Sequence, residues 1–253
     1  MSDRSAEHLA ENSLSYLGRL LDLLELVVSD EGASMSLSEL AGRVGMPVST
    51  ASRLLGQLRS WGFLIEVDGR AAAGPRLVSI SAAVARSAYG DERLKAATRA
   101  LTNSTRESAT ACRVIGDQLI IVARSESVRP LRAVNRVGEV VPSGRSAMGK
   151  AVLSLLSEDR QLDLLRADAV PDPRATLESL RAELDEAAQS GYAVDEETLT
   201  PGLRCRAVAV LGWDGAPVAA LSVGGPAIRF TREVADESVA SLREQARELS
   251  SRS

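Results

Sequence analysis

Apart from arginine, the 253-residue sequence has few basic residues: one histidine, His8, and two lysines, Lys95 and Lys150. A Ser/His/Asp triad needs a histidine base, and a His-rich metal site needs several histidines. Both sites are effectively excluded, so an enzyme would have to use a Ser–Lys pair or a pair of acids. The two cysteines, Cys112 and Cys205, lie far apart without metal-ligand spacing, which favours free thiols in a cytosolic protein.

The sequence also lacks long apolar runs. No run approaches the roughly 20 residues that cross a bilayer. Residues 1–13 carry three acids and no apolar core of a secretory signal. With 45% hydrophobic and 25% charged residues, the composition is that of an ordinary soluble globular protein, and the length fits about two domains. We expect a cytoplasmic protein with no membrane partner and no cofactor or metal.

Charge is distributed unevenly along the chain. The net charge is −4, which by itself does not indicate a nucleic-acid partner. Residues 1–39 hold two arginines and eight acids, whereas residues 40–90 hold six arginines and only two acids. A local basic segment inside an acidic protein is an electrostatic footprint of nucleic-acid binding, and a solvated face is the alternative.

Three helices are predicted in the N-terminal region. The apolar residues of the first repeat at helical spacing: Leu14, Leu17, Leu21, Leu24 and Val28. A capping box, Ser36-x-x-Glu39, opens a short second helix that stops at Gly45. Pro47 suits the first turn of the third helix. Four apolar residues of this third helix fall on one face: Ala51, Leu54, Leu55 and Leu58.

The opposite face of the third helix is small and polar. Two helices joined by a short glycine-containing turn form a helix-turn-helix, and short hydroxyl side chains let the second helix approach base edges and phosphates. Asp68-Gly69 favours a hairpin turn, which would form a wing with Arg70 near its tip. A helical bundle with a hairpin of no function is the alternative. The residues predicted to contact DNA are Arg43, Ser49, Thr50, Ser52, Arg53, Gln57 and Arg70.

A linker helix and a second domain follow. We divide the chain into a DNA-binding domain over residues 1–74, a linker helix over 75–90 and a second domain over 91–253. The linker has an apolar seam that would join two copies or pack on its own domain: Leu77, Val78, Ile80, Ala83 and Val84. Predicted strands cover residues 111–115, 119–123, 131–134, 205–210 and 218–223. Predicted helices cover residues 91–107, 147–156, 158–165, 174–190 and 231–250. Strands joined mostly by hairpins, with grouped helices, indicate an α+β domain.

One motif resembles a phosphate-binding loop. The stretch GRSAMGKA, residues 144–151, matches G-x-x-x-x-G-K up to its last position. There Ala151 stands where Ser or Thr would hold magnesium, and the parallel βαβ context is missing. We therefore reject nucleotide hydrolysis. A glycine-bearing loop that opens a helix still presents backbone N–H groups to an anion.

Stretches along nearly the whole chain, in order and spacing, resemble the IclR family of bacterial transcription regulators. They are LDLLELV, LSELAGRVGMPVSTASRLLGQLRSWGFL, GPRL, RVGEVVPSGRSAMGKAVL, GYAVDEE, PGLRCRAVAV and AALSVGGP. The resemblance implies a winged helix-turn-helix, a linker helix and a GAF-like, mixed α/β effector-binding domain. It also implies dimers and often tetramers, and no catalysis.

The resemblance also implies a set of ligand-binding positions. Family pockets are lined by the loop before GKA, the acid after GYAV, the cysteine of G-x-R-C and the end of the LS-x-S-G strand. In this sequence these positions are Ser146, Ala147, Met148, Asp195, Cys205, Ser222 and Gly224. The sequence departs from the family at Gly144, often His, at Arg145, often Ala, and at Gly224, often Ser.

We expect a small organic acid in this pocket, because loop and helix-start N–H groups favour negative charge and Asp195 is the only acid expected nearby. Arg145, turned inward, would bind its carboxylate, and Gly224 would leave room for a bulky ligand. Structural roles are the alternatives: Asp195 would cap a loop or pair with an arginine, Cys205 and Ser222 would be core, and Arg145 would be solvated.

The sequence therefore predicts a ligand-responsive regulator, a repressor more often than an activator in such families, that binds a palindromic operator as a symmetric oligomer. A small-molecule sensor or enzyme whose winged helix mediates protein contacts is the alternative.

Overall fold

The computed structural model describes residues 16–29, 32–86 and 92–250. The chain divides into two compact units, Met1–Ala88 and Tyr89–Ser253, called here the N-terminal unit and the C-terminal unit. Each is described by itself. Among the described residues, no helix is long and apolar enough to cross a membrane.

The N-terminal unit has the predicted order of a winged helix-turn-helix followed by a helix. Its elements are α1 (Tyr16–Val28), a 3-10 turn (Gly32–Ser34), α2 (Leu37–Arg43), α3 (Val48–Ser60), β1 (Leu64–Val67), β2 (Arg70–Ala73) and α4 (Pro75–Arg86). Leu14 of the predicted first helix and residues 87–90 of the predicted linker lie outside the described residues.

Local sequence signals account for the ends of these elements. Ser36 N donates to Glu39 Oε2 at 2.8 Å and Ser36 Oγ accepts from Glu39 N, which completes the predicted capping box. Hydrogen bonds from Ser36 hold the pKa of the Glu39 carboxyl below its usual value. Pro47 is the N-cap of α3 rather than a member of its first turn. Asp68 and Gly69 both have positive φ, as a two-residue hairpin turn requires.

One apolar core holds the N-terminal unit together. It combines the buried sides of α1, α2 and α3 with the start of β1, and Leu77 of α4 packs against it. The Arg76 guanidinium lies 4.9 Å from the centroid of the Phe63 ring, which adds a cation–π contact between α4 and the residue before β1. The predicted seam is thus divided, since Leu77 packs on its own unit while Ile80 and Val84 are exposed.

The C-terminal unit is built on one antiparallel sheet with strand order β4-β3-β7-β6-β5. Its strands are β3 (Ser108–Ile115), β4 (Gln118–Ser125), β5 (Ala193–Glu196), β6 (Leu203–Leu211) and β7 (Pro217–Pro226). Its helices are α5 (Glu92–Thr105), α6 (Ala147–Leu153), α7 (Glu158–Ala167), α8 (Pro173–Ser190) and α9 (Arg232–Ser250).

Helices cover both faces of this sheet. The leucines of α6, α7 and α8 form one core with side chains such as Cys112 and Ala207. The apolar residues of α5 and α9 form a second core on the other face, around Leu221 and Phe230. Helices, sheet and helices thus form three layers. This arrangement, in a domain that follows a helix-turn-helix, confirms the predicted α+β fold class with a mixed α/β second domain.

One predicted strand is wrong, and one strand was not predicted. Residues 131–134 are not a strand, because residues 139–141 take the place beside β4: Ile121 N donates to Glu139 O at 2.9 Å and Val141 N to Leu119 O at 2.8 Å. The edge strand β5 was not predicted, since its four residues, Ala193–Glu196, alternate too briefly to be recognised.

Candidate functional site

The outer face of α3 is the first candidate site. Ala51, Leu54, Leu55 and Leu58 are buried, as predicted for the inner face. Ser49, Ser52, Arg53 and Gln57 are exposed on the other side, while Thr50 is half-buried. Because the helix presents small polar side chains opposite its apolar stripe, it is shaped to enter a groove of DNA.

Tyr16 of α1 contacts this outer face, which the sequence analysis did not predict. Its hydroxyl donates to Gln57 Oε1 at 3.0 Å, and the Arg53 guanidinium lies 5.7 Å from the centroid of its ring. The aromatic ring therefore holds two of the predicted DNA contacts in place. No local pattern reveals a contact between residues 41 positions apart.

The remaining predicted DNA contacts lie on α2 and the wing. Arg43 ends α2 and Arg70 opens β2 directly after the hairpin turn, and both are exposed. Arg59 instead forms an ion pair with Glu66 of β1. This pairing ties the wing to α3 and partly neutralises that arginine.

The second candidate site is a cavity of the C-terminal unit with about 490 Å³ of empty space, including the part open to solvent, which limits an occupant to a small molecule. Its lining contains six of the eight predicted effector-binding residues: Ser146, Ala147, Met148, Asp195, Cys205 and Ser222. The other lining residues are Ile121, Asn135, Glu139, Val140, Val141, Pro142 and Leu199.

Strand register brings three of these side chains together. Asp195 of β5 pairs with Cys205 of β6, which pairs with Gly224 of β7, and Ser222 lies two residues before Gly224 on the same face. Asp195 Oδ1 accepts from Thr198 N at 2.8 Å and from Leu199 N at 3.2 Å. Asp195 thus caps the loop after β5, as the structural alternative proposed, and also lines the cavity.

The thiol of Cys205 stays protonated. Burial, together with the nearby charge of Asp195, raises its pKa to about 12. A thiol with such a pKa is a weak hydrogen-bond donor and no nucleophile at neutral pH. Cys205 therefore contributes shape and a weak donor to the cavity.

The loop before α6 forms one wall of the cavity. Ser146 Oγ donates to Pro142 O at 2.8 Å and accepts from Gly149 N at 2.9 Å, so it caps α6 and has little capacity left for a ligand. Ser143 N donates to Asp168 Oδ2 at 2.5 Å, which fastens the loop to the end of α7. Burial raises the pKa of the Asp168 carboxyl.

Packing explains the residues of the phosphate-loop-like motif. A Cβ at Gly149 would lie 2.2 Å from the backbone oxygen of Ser143, so glycine allows the loop to approach α6. The buried Lys150 Nζ lies 2.6 Å from Glu183 Oε2 of α8 and is thereby paired inside the fold.

Two predicted effector-binding residues lie outside the cavity lining. Arg145 is exposed, and its Nη2 donates to Thr198 O at 3.0 Å, which favours the alternative of a solvated loop residue over a carboxylate partner inside the cavity. The expected free space beside Gly224 is wrong, because a Cβ there would lie 2.8 Å from Cys205 Sγ.

Sequence reasoning missed two polar residues of the cavity. Asn135 Nδ2 donates to Thr110 Oγ1 at 2.9 Å, and Glu139 Oε2 accepts from Arg136 N at 3.1 Å. Both missed residues follow β4 in an irregular segment that has no hydrophobic period to mark it. Glu139 is thus a second acid among the lining residues, but it is exposed and its carboxylate is bonded to Arg136 N. Among the described residues, no cluster of side chains has the composition of a metal site.

A winged helix-turn-helix on the same chain as a domain that encloses a small-molecule cavity defines the class of ligand-responsive, DNA-binding transcription regulators. The model of the IclR helix-turn-helix domain matches residues 17–67, and that of the bacterial transcriptional regulator IclR C-terminal domain matches residues 83–251. The chain belongs to the IclR family of bacterial transcription regulators.

Curated relatives and a solved structure agree with this family. The chain is 32% identical to HTH-type transcriptional regulator BhcR of Paracoccus denitrificans, covering 95% of this chain and 88% of the relative. It is 31% identical to transcriptional repressor IclR of Escherichia coli, covering 95% and 90%. An IclR homologue of Microbacterium hydrocarbonoxydans, complexed with 4-hydroxybenzoate, has the same fold with a TM-score of 0.69 at 21% identity, covering 92% of this chain and all of that chain.

Proposed function

We propose that this regulator is a cytoplasmic repressor that binds a palindromic operator as a symmetric homo-oligomer and responds to a small organic effector. The observation that carries the proposal is the outer face of α3, where small polar side chains stand exposed opposite a buried leucine stripe. The direct contacts to DNA would come from Arg43, Ser49, Thr50, Ser52, Arg53, Gln57 and Arg70. Relatives named repressors support the sign of regulation.

The enzyme alternative has less support. A Ser–Lys mechanism needs a lysine that is available as a base. Lys150 is buried against Glu183 at 2.6 Å, and Lys95 pairs with Glu92 at 2.7 Å. Both lysines thus have structural partners, and we propose no catalytic activity.

The first test concerns DNA contact. Arg53→Ala should weaken binding to a duplex selected by the parent chain by about 1–3 kcal/mol if Arg53 reads a base. Arg70→Ala should weaken binding more evenly across sequences, since a wing arginine contacts phosphates. Fluorescence anisotropy with the selected and a scrambled duplex, at two salt concentrations, separates the two effects. Arg181→Ala, an exposed arginine of α8, is the control. If both test variants bind DNA as tightly as the parent does, the proposed contacts of Arg53 and Arg70 with DNA are wrong.

The second test concerns assembly. One winged helix reads only a few base pairs, so useful affinity requires two copies on a palindromic site. Exposed apolar side chains of α4, Ile80 and Val84, supply surface for a partner copy. Light scattering at micromolar concentration should show at least a dimer, which Ile80→Glu weakens and Ser79→Glu, about 100° around α4 from Ile80, does not. A monomer with and without DNA contradicts the proposed assembly.

A further inference from the structure

Tyr16 of α1 binds one end of an amide on the outer face of α3. Its hydroxyl donates to Gln57 Oε1 at 3.0 Å. Gln57 is exposed, and none of the described residues accepts a hydrogen bond from its Nε2. The two ends of the amide therefore differ: the oxygen already has a donor from the protein, whereas the nitrogen is left to donate to a partner outside it.

A glutamine amide without such a contact can present either end. Its oxygen accepts and its nitrogen donates, so a half-turn about the last side-chain bond exchanges an acceptor for a donor at the same place. At Gln57 this half-turn would bring Nε2 to the Tyr16 hydroxyl, whose proton would then lose its acceptor. The hydrogen bond from Tyr16 therefore favours one of the two orientations of the amide.

The surface around Tyr16 is open to a large partner. The Arg53 guanidinium lies 5.7 Å from the centroid of the Tyr16 ring, and Arg53 and Gln57 share a face of α3 because they are four residues apart. Gly56 is exposed between them in sequence, and a Cβ there meets nothing within 4 Å, so packing within the unit does not require glycine. The missing side chain allows a duplex to approach the helix closely.

The four bases offer different groups to a donor in the major groove. Guanine presents the acceptors N7 and O6, adenine presents N7, and thymine presents O4. Cytosine presents only its amino group, which is itself a donor. An amide nitrogen can therefore bind guanine, adenine or thymine, whereas it meets cytosine donor to donor.

Resting on the proposed function, we propose that Tyr16 is a positioning residue for base recognition. Its hydroxyl orients the Gln57 amide so that Nε2 donates to an acceptor on a base edge, and this orientation excludes cytosine at that position of the operator. A hydroxyl on α1, which precedes the helix-turn-helix pair α2 and α3, thus contributes to the sequence preference of the regulator.

Tyr16→Phe tests the proposal, because it removes the hydroxyl and keeps the ring that contacts Arg53. Fluorescence anisotropy on the full chain measures affinity for a duplex selected by the parent and for a panel in which each base pair, in both half-sites, is replaced by the other three. Gln57→Ala identifies the base pair that Gln57 reads as the one where discrimination is lost. At that pair the parent should bind the orientation with cytosine beside Gln57 at least about tenfold more weakly than the reversed G·C pair.

Tyr16→Phe should reduce this difference to about threefold or less, while its affinity for the selected duplex stays within about threefold of the parental value. Damage to the fold would instead weaken binding to all duplexes alike. In a Gln57→Ala background, Tyr16→Phe should change nothing, because the amide that it orients is absent. Tyr192→Phe is the matched control: the Tyr192 ring also lies 5.7 Å from an arginine, Arg243, but in the C-terminal unit, and the loss of its hydroxyl should leave the whole panel unchanged.

Three outcomes contradict the proposal: discrimination at every base pair that survives in Gln57→Ala, rejection by the parent of a base other than cytosine at the pair that Gln57 reads, or equal rejection of cytosine by Tyr16→Phe and the parent. A parent that binds the selected and a scrambled duplex equally overturns the proposed function and this inference with it. A parent with a clear preference that Tyr16→Phe leaves unchanged overturns this inference alone.

Discussion

Glu107→Ala should destabilise the C-terminal unit by about 3 kcal/mol, the order expected when one partner of a buried ion pair is removed. The Glu107 carboxylate is almost fully buried and binds Arg129 at 3.0 Å and Arg229 at 2.6 and 2.8 Å. A Cβ at Gly225 would lie 2.7 Å from Glu107 Oε2, so β7 leaves room for the carboxylate there. The substitution leaves two guanidinium groups without their acid and a cavity between them.

Urea unfolding followed by circular dichroism measures this loss. Glu107→Gln, which keeps the shape and loses the charge, should fall between the parent and the alanine variant. Glu178→Ala removes an exposed acid 3.8 Å from Arg181 and should change stability by less than about 1 kcal/mol. If Glu107→Ala lowers stability no more than Glu178→Ala does, the arginines around Glu107 are held by other contacts.

The ion pairs of Glu107 with Arg129 and Arg229 also help to hold one wall of the cavity in place. Arg229, a member of this cluster, donates from Nη2 to Leu131 O at 2.7 Å, and Arg124, which pairs with Glu126 instead, donates to Asn135 O. These bonds fasten the irregular segment after β4, which carries Asn135 and Glu139 into the cavity. We therefore expect Glu107→Ala to weaken ligand binding as well as stability.

The N-terminal unit could be predicted well because its signals are local. The capping box at Ser36 and Glu39, the proline at the start of α3 and the Asp68-Gly69 turn each act within a few residues. The leucine spacing on α3 then determines which face is outward. The contact of Tyr16 with that face depends on tertiary packing and has no local signal.

Only some of the residues that line the cavity could be predicted from the sequence. Asp195, Cys205 and Ser222 were implied by the resemblance to the IclR family, whose motifs fall on these paired strands. Glu139 lies in an irregular segment, and a bridge between Ile120 and Val140 sets the position of that segment. The direction of the Arg145 side chain depends on Thr198, 53 residues away. The charge of the cavity therefore follows from the assembled fold.

Gly149→Ala should destabilise the C-terminal unit by about 3 kcal/mol or more and abolish ligand binding. Its Cβ would lie 2.2 Å from the oxygen and 2.4 Å from the Cα of Ser143. These atoms are backbone, so no side-chain rotation relieves the overlap, and overpacking of this kind costs most where the surroundings cannot move. The loop that carries Ser146 would have to leave α6, which removes one wall of the cavity. Thermal unfolding measures the change in stability, and calorimetry with a confirmed effector measures the loss of binding.

Gly42→Ala is the matched control for this substitution. Gly42 also lies in a seven-residue helix, α2, but a Cβ there meets nothing within 4 Å. Replacing glycine with alanine at an open helical position should raise stability by about 0.5–1 kcal/mol, because the unfolded chain loses conformational freedom. The two substitutions should change stability in opposite directions. This difference separates the effect of a close backbone approach from the effect of helix propensity. Equal stability of the two variants would mean that the loop before α6 does not depend on its contact with Gly149.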